Sequence, residues 1–190
     1  MFRFILTIIA AILISTSTAN AVQRGITNIE ISHNAGELLV TAEYKGGFTP
    51  EIKQEIISGV SRELFYYIVL QSVLPKWFDV EKLSETIKYN LKYDILKKQY
   101  LVTRTVGSAR EEQVFDSYDE MVEWVSKIDK ISLIPLNSLN KRYKYYVSIK
   151  AEIKAGELPF LLRYLLFFFP YSKFSTDWAH STEFMLKDLR

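Results

Sequence analysis

The 190-residue chain contains no cysteine. Disulfides, thiol catalysis, cysteine-based zinc sites and lipid attachment through a processed amino-terminal cysteine are therefore excluded by composition, and the fold must be held by its own core. Histidine is nearly as scarce, with two residues, His33 and His180, left for metal or proton work. An excess of one charge is missing too. Basic residues number 24 and acidic ones 22, a balance that predicts no bulk attraction to nucleic acid. No internal repeat or low-complexity linker divides the chain. Neither of its longest apolar runs, Phe4 to Ile14 and Leu158 to Phe169, reaches the about 20 residues a membrane span needs.

The first of those runs reads as a secretory leader. Arg3 and the free amino terminus give a positive start, Phe4 to Ile14 are apolar apart from Thr7, four hydroxyl residues follow at Ser15 to Thr18, and Ala19-Asn20-Ala21 forms a small-residue cleavage site. Residues 1–21 are thus a predicted signal peptide and 22–190 a single domain beginning at Val22. The protein is expected to be exported, periplasmic or envelope-associated. An uncleaved leader would instead anchor it in the inner membrane.

What is abundant is aromatic strand material, with 12 tyrosines, 12 phenylalanines and 3 tryptophans. Ile87, Tyr89, Leu91 and Tyr93 alternate with Thr86, Lys88, Asn90 and Lys92, the pattern of a strand with one buried and one wet face. From Arg142 to Lys154 the theme repeats, with Tyr143, Tyr145, Val147, Ile149, Ala151 and Ile153 inward and Arg142, Lys144, Ser148, Lys150 and Glu152 outward. Between Leu64 and Leu70 both parities are apolar, which predicts a central strand covered on both faces and closed by Pro75. Strands Ile26–Ser32 and Glu37–Tyr44 form a hairpin through His33 to Gly36. Gln99–Val106 returns antiparallel to the Ile87 strand and stops at Gly107-Ser108.

Helix signals are fewer. Thr49-Pro50 caps and starts a short helix that carries Ile52, Ile56, Ile57 and Val60 and leaves at Gly59. Ser117-Tyr118-Asp119-Glu120 has the capping-box form and opens a helix from Tyr118 to about Ile128. A third helix is expected over Leu158 to Phe169, and a closing strand over Thr176 to Leu186. The fold class is mainly β (α+β), a single antiparallel β-sandwich or partly closed barrel with about three short helices.

Short runs in fixed order carry a family likeness. They are Trp77-Phe78-Asp79, Ile87 to Tyr93, Gln99 to Val102, Phe115 to Glu120, Arg142-Tyr143, Leu158-Pro159 with Leu162-Arg163, and Ser175-Thr176-Asp177-Trp178. Together they resemble the bacterial exported family catalogued as domain of unknown function 4390 over nearly the whole mature chain. The resemblance implies small exported or envelope-associated proteins, often encoded near a two-component sensor kinase, without assigned activity or catalytic residues.

Functional candidates are three. Phe160, Arg163, Tyr164, Phe167, Phe168 and Phe169, apolar around almost the whole helical circumference, read either as deeply buried or as a docking face for an envelope protein or the bilayer surface. Lys144 and Lys150 share the outward strand face with Tyr146. If that face lies beside Lys88 and Lys92, a positive stripe results that suits an acidic partner or anionic lipid. Asp177 and His180, with Ser175 or Ser181 as nucleophile, have the residue types of a hydrolase, but on a strand their odd spacing sends them to opposite faces. Asp119, Glu120, Glu111 and Glu112 read as solvated or dipole-directed charges. No metal or cofactor is expected. The preferred reading is a non-enzymatic envelope module that binds a protein partner or membrane surface, with a carrier or sensor of a small apolar ligand as the alternative and a hydrolase as the second.

Overall fold

In the computed structural model, residues 24–74, 79–156 and 174–189 are described. The leader, Pro75 and the expected third helix over Leu158 to Phe169 lie outside these residues. Strand β1 (Gly25–Asn34) turns through Ala35 and Gly36 into β2 (Glu37–Lys45). Both turn residues have positive φ, 49° and 84°, the backbone that matches the twist of two paired strands. Helix α1 (Pro50–Ile57) starts as expected: the Thr49 hydroxyl accepts from the Ile52 amide, and Ile52 and Ile56 are buried.

Strand β3 (Arg62–Val73) is central, paired on one side with β4 (Val80–Asp94) and on the other with β8 (Lys144–Ala155). Only one of its faces is sealed. Leu64, Tyr66, Ile68 and Leu70 are buried, whereas Phe65, Tyr67 and Val69 are half-buried among the described residues, so the expectation of two covered faces is corrected to one covered and one partly open. Strand β5 (Gln99–Val106) pairs with β4 over the expected residues.

Two strands were not expected. Glu111 and Glu112, read from sequence only as solvated or dipole-directed charges, belong to β6 (Ala109–Phe115), the edge strand that pairs with β5 through a turn at Gly107-Ser108. Its side chains are exposed on both faces apart from Phe115, so no alternation marks it, and its charges suit an edge that must not pair further. Helix α2 (Tyr118–Ser126) ends before Ile128, and β7 (Lys127–Pro135) begins there at once. A bulge at Asp129-Lys130, with Lys130 at φ 46°, breaks the period of two and leaves Ile128 and Ile131 at a spacing that mimics a helix. The expected closing strand over Thr176 to Leu186 is instead β9 (Phe174–Ser175), β10 (Ala179–His180), a bridge from Phe184 to Tyr145 and a short 3₁₀ turn at Leu186–Asp188.

All pairings are antiparallel. One sheet runs β1-β2-β7 and the other β10-β8-β3-β4-β5-β6, with β9 also on β8. Of the two architectures left open, this is sandwich-like, since neither sheet closes into a barrel. Tyr44 of β2, Tyr66 of β3, Tyr89 of β4 and Trp124 of α2 meet edge to face in sequence, with centroids 6.0, 6.0 and 5.5 Å apart. This column ties the small sheet, the large sheet and α2 together. Beyond it, Arg62 is wholly buried and ion-paired with Glu55 of α1.

Burial raises the phenol pKa of Tyr44, Tyr66, Tyr89 and Tyr118 above the ordinary 10.0. The unfolded chain therefore loses protons near pH 10 while the folded one keeps them. Stability is full below pH 10 and is lost as pH climbs from 10 toward the raised folded values, at up to about 1.4 kcal/mol per pH unit per tyrosine. In a pH titration, the share of tyrosinate absorbance that belongs to these four of the 12 tyrosines should appear only with loss of β circular dichroism. Ionisation of all 12 in a still-folded protein would contradict the burial.

Candidate functional site

The half-open outer face of the large sheet carries the candidate site. Register builds it: Gln71 pairs with Tyr146, Val69 with Ser148, and Ser148 in turn with His180 of β10. Glu81 of β4 pairs with Gln71. Together with Trp178 these residues line an open cleft of about 320 Å³. Its floor is built rather than incidental. Ser148, 3% exposed, donates to Gln71 Oε1 at 2.9 Å and lies 2.8 Å from His180 Nδ1. One hydroxyl proton cannot serve both, so with Gln71 as acceptor the Ser148 oxygen accepts from His180 Nδ1–H.

Tyr146 continues the wall. Its hydroxyl donates to Asp79 Oδ2 at 2.9 Å, and the His180 ring meets it edge-on at 5.8 Å. Partial burial, then the Asp79 hydrogen bond and charge, raise its pKa, so it presents a phenol and not a phenolate. Trp178 is 44% exposed on the rim. The cleft thus has hydrogen-bonding groups below and an exposed indole above.

A family model described as Domain of unknown function (DUF4390) matches residues 22–182. The chain belongs to this family. The DUF4390 match spans every cleft residue, from Val69 to His180, and both unexpected strands. No curated protein and no solved structure matches the chain.

In the lysine stripe of this DUF4390 protein three of the basic side chains are ion-paired. Lys88 pairs with Glu63 at 2.7 Å, Lys154 with Glu152 at 2.8 Å, and Lys144 with Glu183 at 3.0 Å. Phe65 receives both Lys88 and Lys154 over its ring, at 5.5 and 4.8 Å. Lys150, half-buried beside Tyr67 in the register, has no ion-pair partner among the described residues, and Arg142 precedes β8 altogether. Ser148 and Glu152, expected outward and wet, are buried. Phe160, Arg163, Tyr164, Phe167, Phe168 and Phe169 lie outside the described residues.

The hydrolytic set does not assemble as drawn from sequence. Asp177 is exposed and its carboxylate makes no hydrogen bond or ion pair among the described residues. Ser181 Oγ is spent on backbone, accepting from the Val147 amide at 3.0 Å and donating to the Thr182 carbonyl at 2.9 Å. His180 meets Ser148 instead, a partner 32 residues away that no spacing rule links to it. Among the described residues no group of three metal-ligating side chains occurs, and no helix is long and apolar enough to cross a membrane.

Proposed function

We propose that the protein is an exported envelope module that binds a protein partner without acting on it chemically. The observation that carries this reading is the cleft itself, with the network of buried Ser148, half-buried Gln71 and exposed His180 as floor and Trp178 exposed at the lip. Such a floor presents fixed donors and acceptors to a polar peptide group, while an exposed tryptophan is the side chain that most often carries binding energy. Lys144 and Lys150 flank Tyr146 and Ser148 on β8 and extend the face. The Leu158 to Phe169 segment, from Phe160 and Arg163 through Phe167 to Phe169, is the second contact in this reading.

Affinity capture from envelope extracts tests it. Trp178→Ala combined with His180→Ala is expected to reduce the captured partner roughly 30-fold, the loss of about 2 kcal/mol typical of a central anchor, with thermal stability unchanged because both side chains are exposed. Identical capture by both proteins would remove the cleft from the reading. If only the Phe167, Phe168 and Phe169 changes abolish capture, the contact is the segment alone.

One observation favours a second reading. A serine hydroxyl 2.8 Å from a histidine nitrogen is the contact of a nucleophile and its base. A hydrolase built on it would need Nδ1 unprotonated and the Gln71 amide turned over. Covalent labelling of Ser148 by a fluorophosphonate, lost in His180→Ala, would establish that chemistry against the binding module.

A further inference from the structure

A second feature stands apart from the cleft. Among the described residues, six large hydrophobic side chains are exposed, and two of them are adjacent: Ile95 at 60% and Leu96 at 95%. They form the tip of the β4–β5 hairpin, whose strands close at the pair Asp94 and Gln99. Hairpin tips ordinarily hold glycine, asparagine, aspartate or serine. Leu96 there exposes apolar surface that the fold itself does not use, while Ile95, whose Cδ1 lies beside Gly59, is exposed over most of its surface.

The tip is held in place. Asp94 Oδ1 accepts from the amides of Leu96 and Lys97, both at 3.0 Å, and Lys98 takes positive φ, 56°, to close the turn. The one acidic side chain at the tip is thereby turned onto the backbone. Asp116, the neighbouring acid, receives the Gln99 side-chain amide at 3.0 Å. Lys92, Lys97 and Lys98 are exposed and make no ion pair among the described residues, in contrast to the paired lysines of the central sheet face. Apolar surface also continues from the tip, since exposed Leu101 pairs with Lys92 on one side and exposed Val114 on the other.

We propose that this hairpin tip is a membrane-contact element, which sets Leu96 and Ile95 into the interface of an anionic bilayer while Lys92, Lys97 and Lys98 meet the headgroups. Charge complementarity selects anionic lipid. Shape selects a bilayer over a protein: a convex tip falls far short of the roughly 800 Å² per side of a stable protein interface, whereas a few apolar side chains with basic flanks suffice for interfacial insertion. The tip is also remote from the cleft. Along β4, Ser84 pairs with Val69 at the cleft, and the twelve residues from there to Leu96 span roughly 40 Å at about 3.3 Å each. A molecule seated by the tip leaves the cleft open.

The test is cosedimentation of the purified protein with phosphatidylglycerol-containing vesicles and with pure phosphatidylcholine vesicles. Binding is expected to the first, and to weaken steeply with salt. Lys97→Gln with Lys98→Gln should lower it roughly 25-fold, about fivefold per lysine, and Leu96→Ser at least tenfold. Both changes fall on exposed side chains and should leave the unfolding transition in place. Leu96→Trp supplies a direct readout, with the added indole's emission shifted to the blue and quenched by brominated lipid only when vesicles are anionic. Absence of vesicle binding, equal binding by Leu96→Ser, or an emission from the Leu96→Trp variant that anionic vesicles leave unshifted would overturn the proposal. So would a change of sedimentation coefficient on Leu96→Ser without vesicles, which would identify a second copy of the chain as the occupant.

Discussion

Gly47→Ala is expected to destabilise the protein by about 3 kcal/mol or more, although the change adds a single methyl group. Gly47 is buried two residues beyond the end of β2, and a Cβ placed there would stand 1.8 Å from Tyr44 Oη and 2.0 Å from its Cζ. The ring cannot retreat at small cost. Tyr44 is 3% exposed and held edge-on by Phe48 at 6.3 Å and by Tyr66 at 6.0 Å, so a shift large enough to clear the methyl would open the column that joins the two sheets. The cost is steric and not conformational, which distinguishes it from that of Gly46, whose φ of 70° favours glycine for its own reasons. Urea unfolding checks the magnitude, and a second variant checks the cause. In a Tyr44→Leu background the same Gly47→Ala change should cost less than about 1 kcal/mol, a strong departure from additivity. Equal costs in both backgrounds would mean that something other than the ring contact is at fault.

Tyr66 is the next most sensitive position. It is fully buried at the middle of the aromatic column, and its hydroxyl donates to the Val125 carbonyl at 2.8 Å. That carbonyl belongs to the last turn of α2, where carbonyls have no i+4 amide donor within the helix. The phenol therefore caps a helix from a strand 59 residues earlier. Tyr66→Phe leaves the carbonyl buried without its donor and should cost about 1–3 kcal/mol. Tyr66→Ala removes the ring as well and should cost about 4–5 kcal/mol through the cavity. Hydrogen exchange separates the two contributions: in Tyr66→Phe the amides of α2 should exchange faster than those of β3. Uniform acceleration across the molecule would show that the hydroxyl acts on global stability and not on the helix end.

Local chemistry made much of the fold legible. Thr49 and Pro50 announce α1 because capping and a preset φ act within one turn. Alternation from Thr86 to Tyr93 identifies β4 because a strand's two faces differ within two residues, and the stop at Gly107-Ser108 bounds β5 as its antiparallel return. The signal fails where the environment does not alternate. Strand β6 is wet on both sides, and the bulge in β7 inserts a residue that shifts its period, so neither could be read along the chain. At the site, His180 was recognisable as one of only two histidines, but its partner was not. Ser148 sits among lysines and tyrosines as an ordinary outward residue until β10 is laid against β8.

The sequence alone determined the exclusions and the local elements: no thiol chemistry, no charge excess for nucleic acid, capped helices, alternating aromatic strands, and membership legible in short ordered motifs. Composition and near-neighbour sterics suffice for these. Only the tertiary structure decided which polar groups meet. The Ser148-His180 contact, the Tyr66 bond to Val125 and the Lys88-Glu63 and Lys144-Glu183 pairs all depend on how distant segments are laid against one another. A hydrogen bond carries no period along the chain, so its partner appears only when the sheets are assembled.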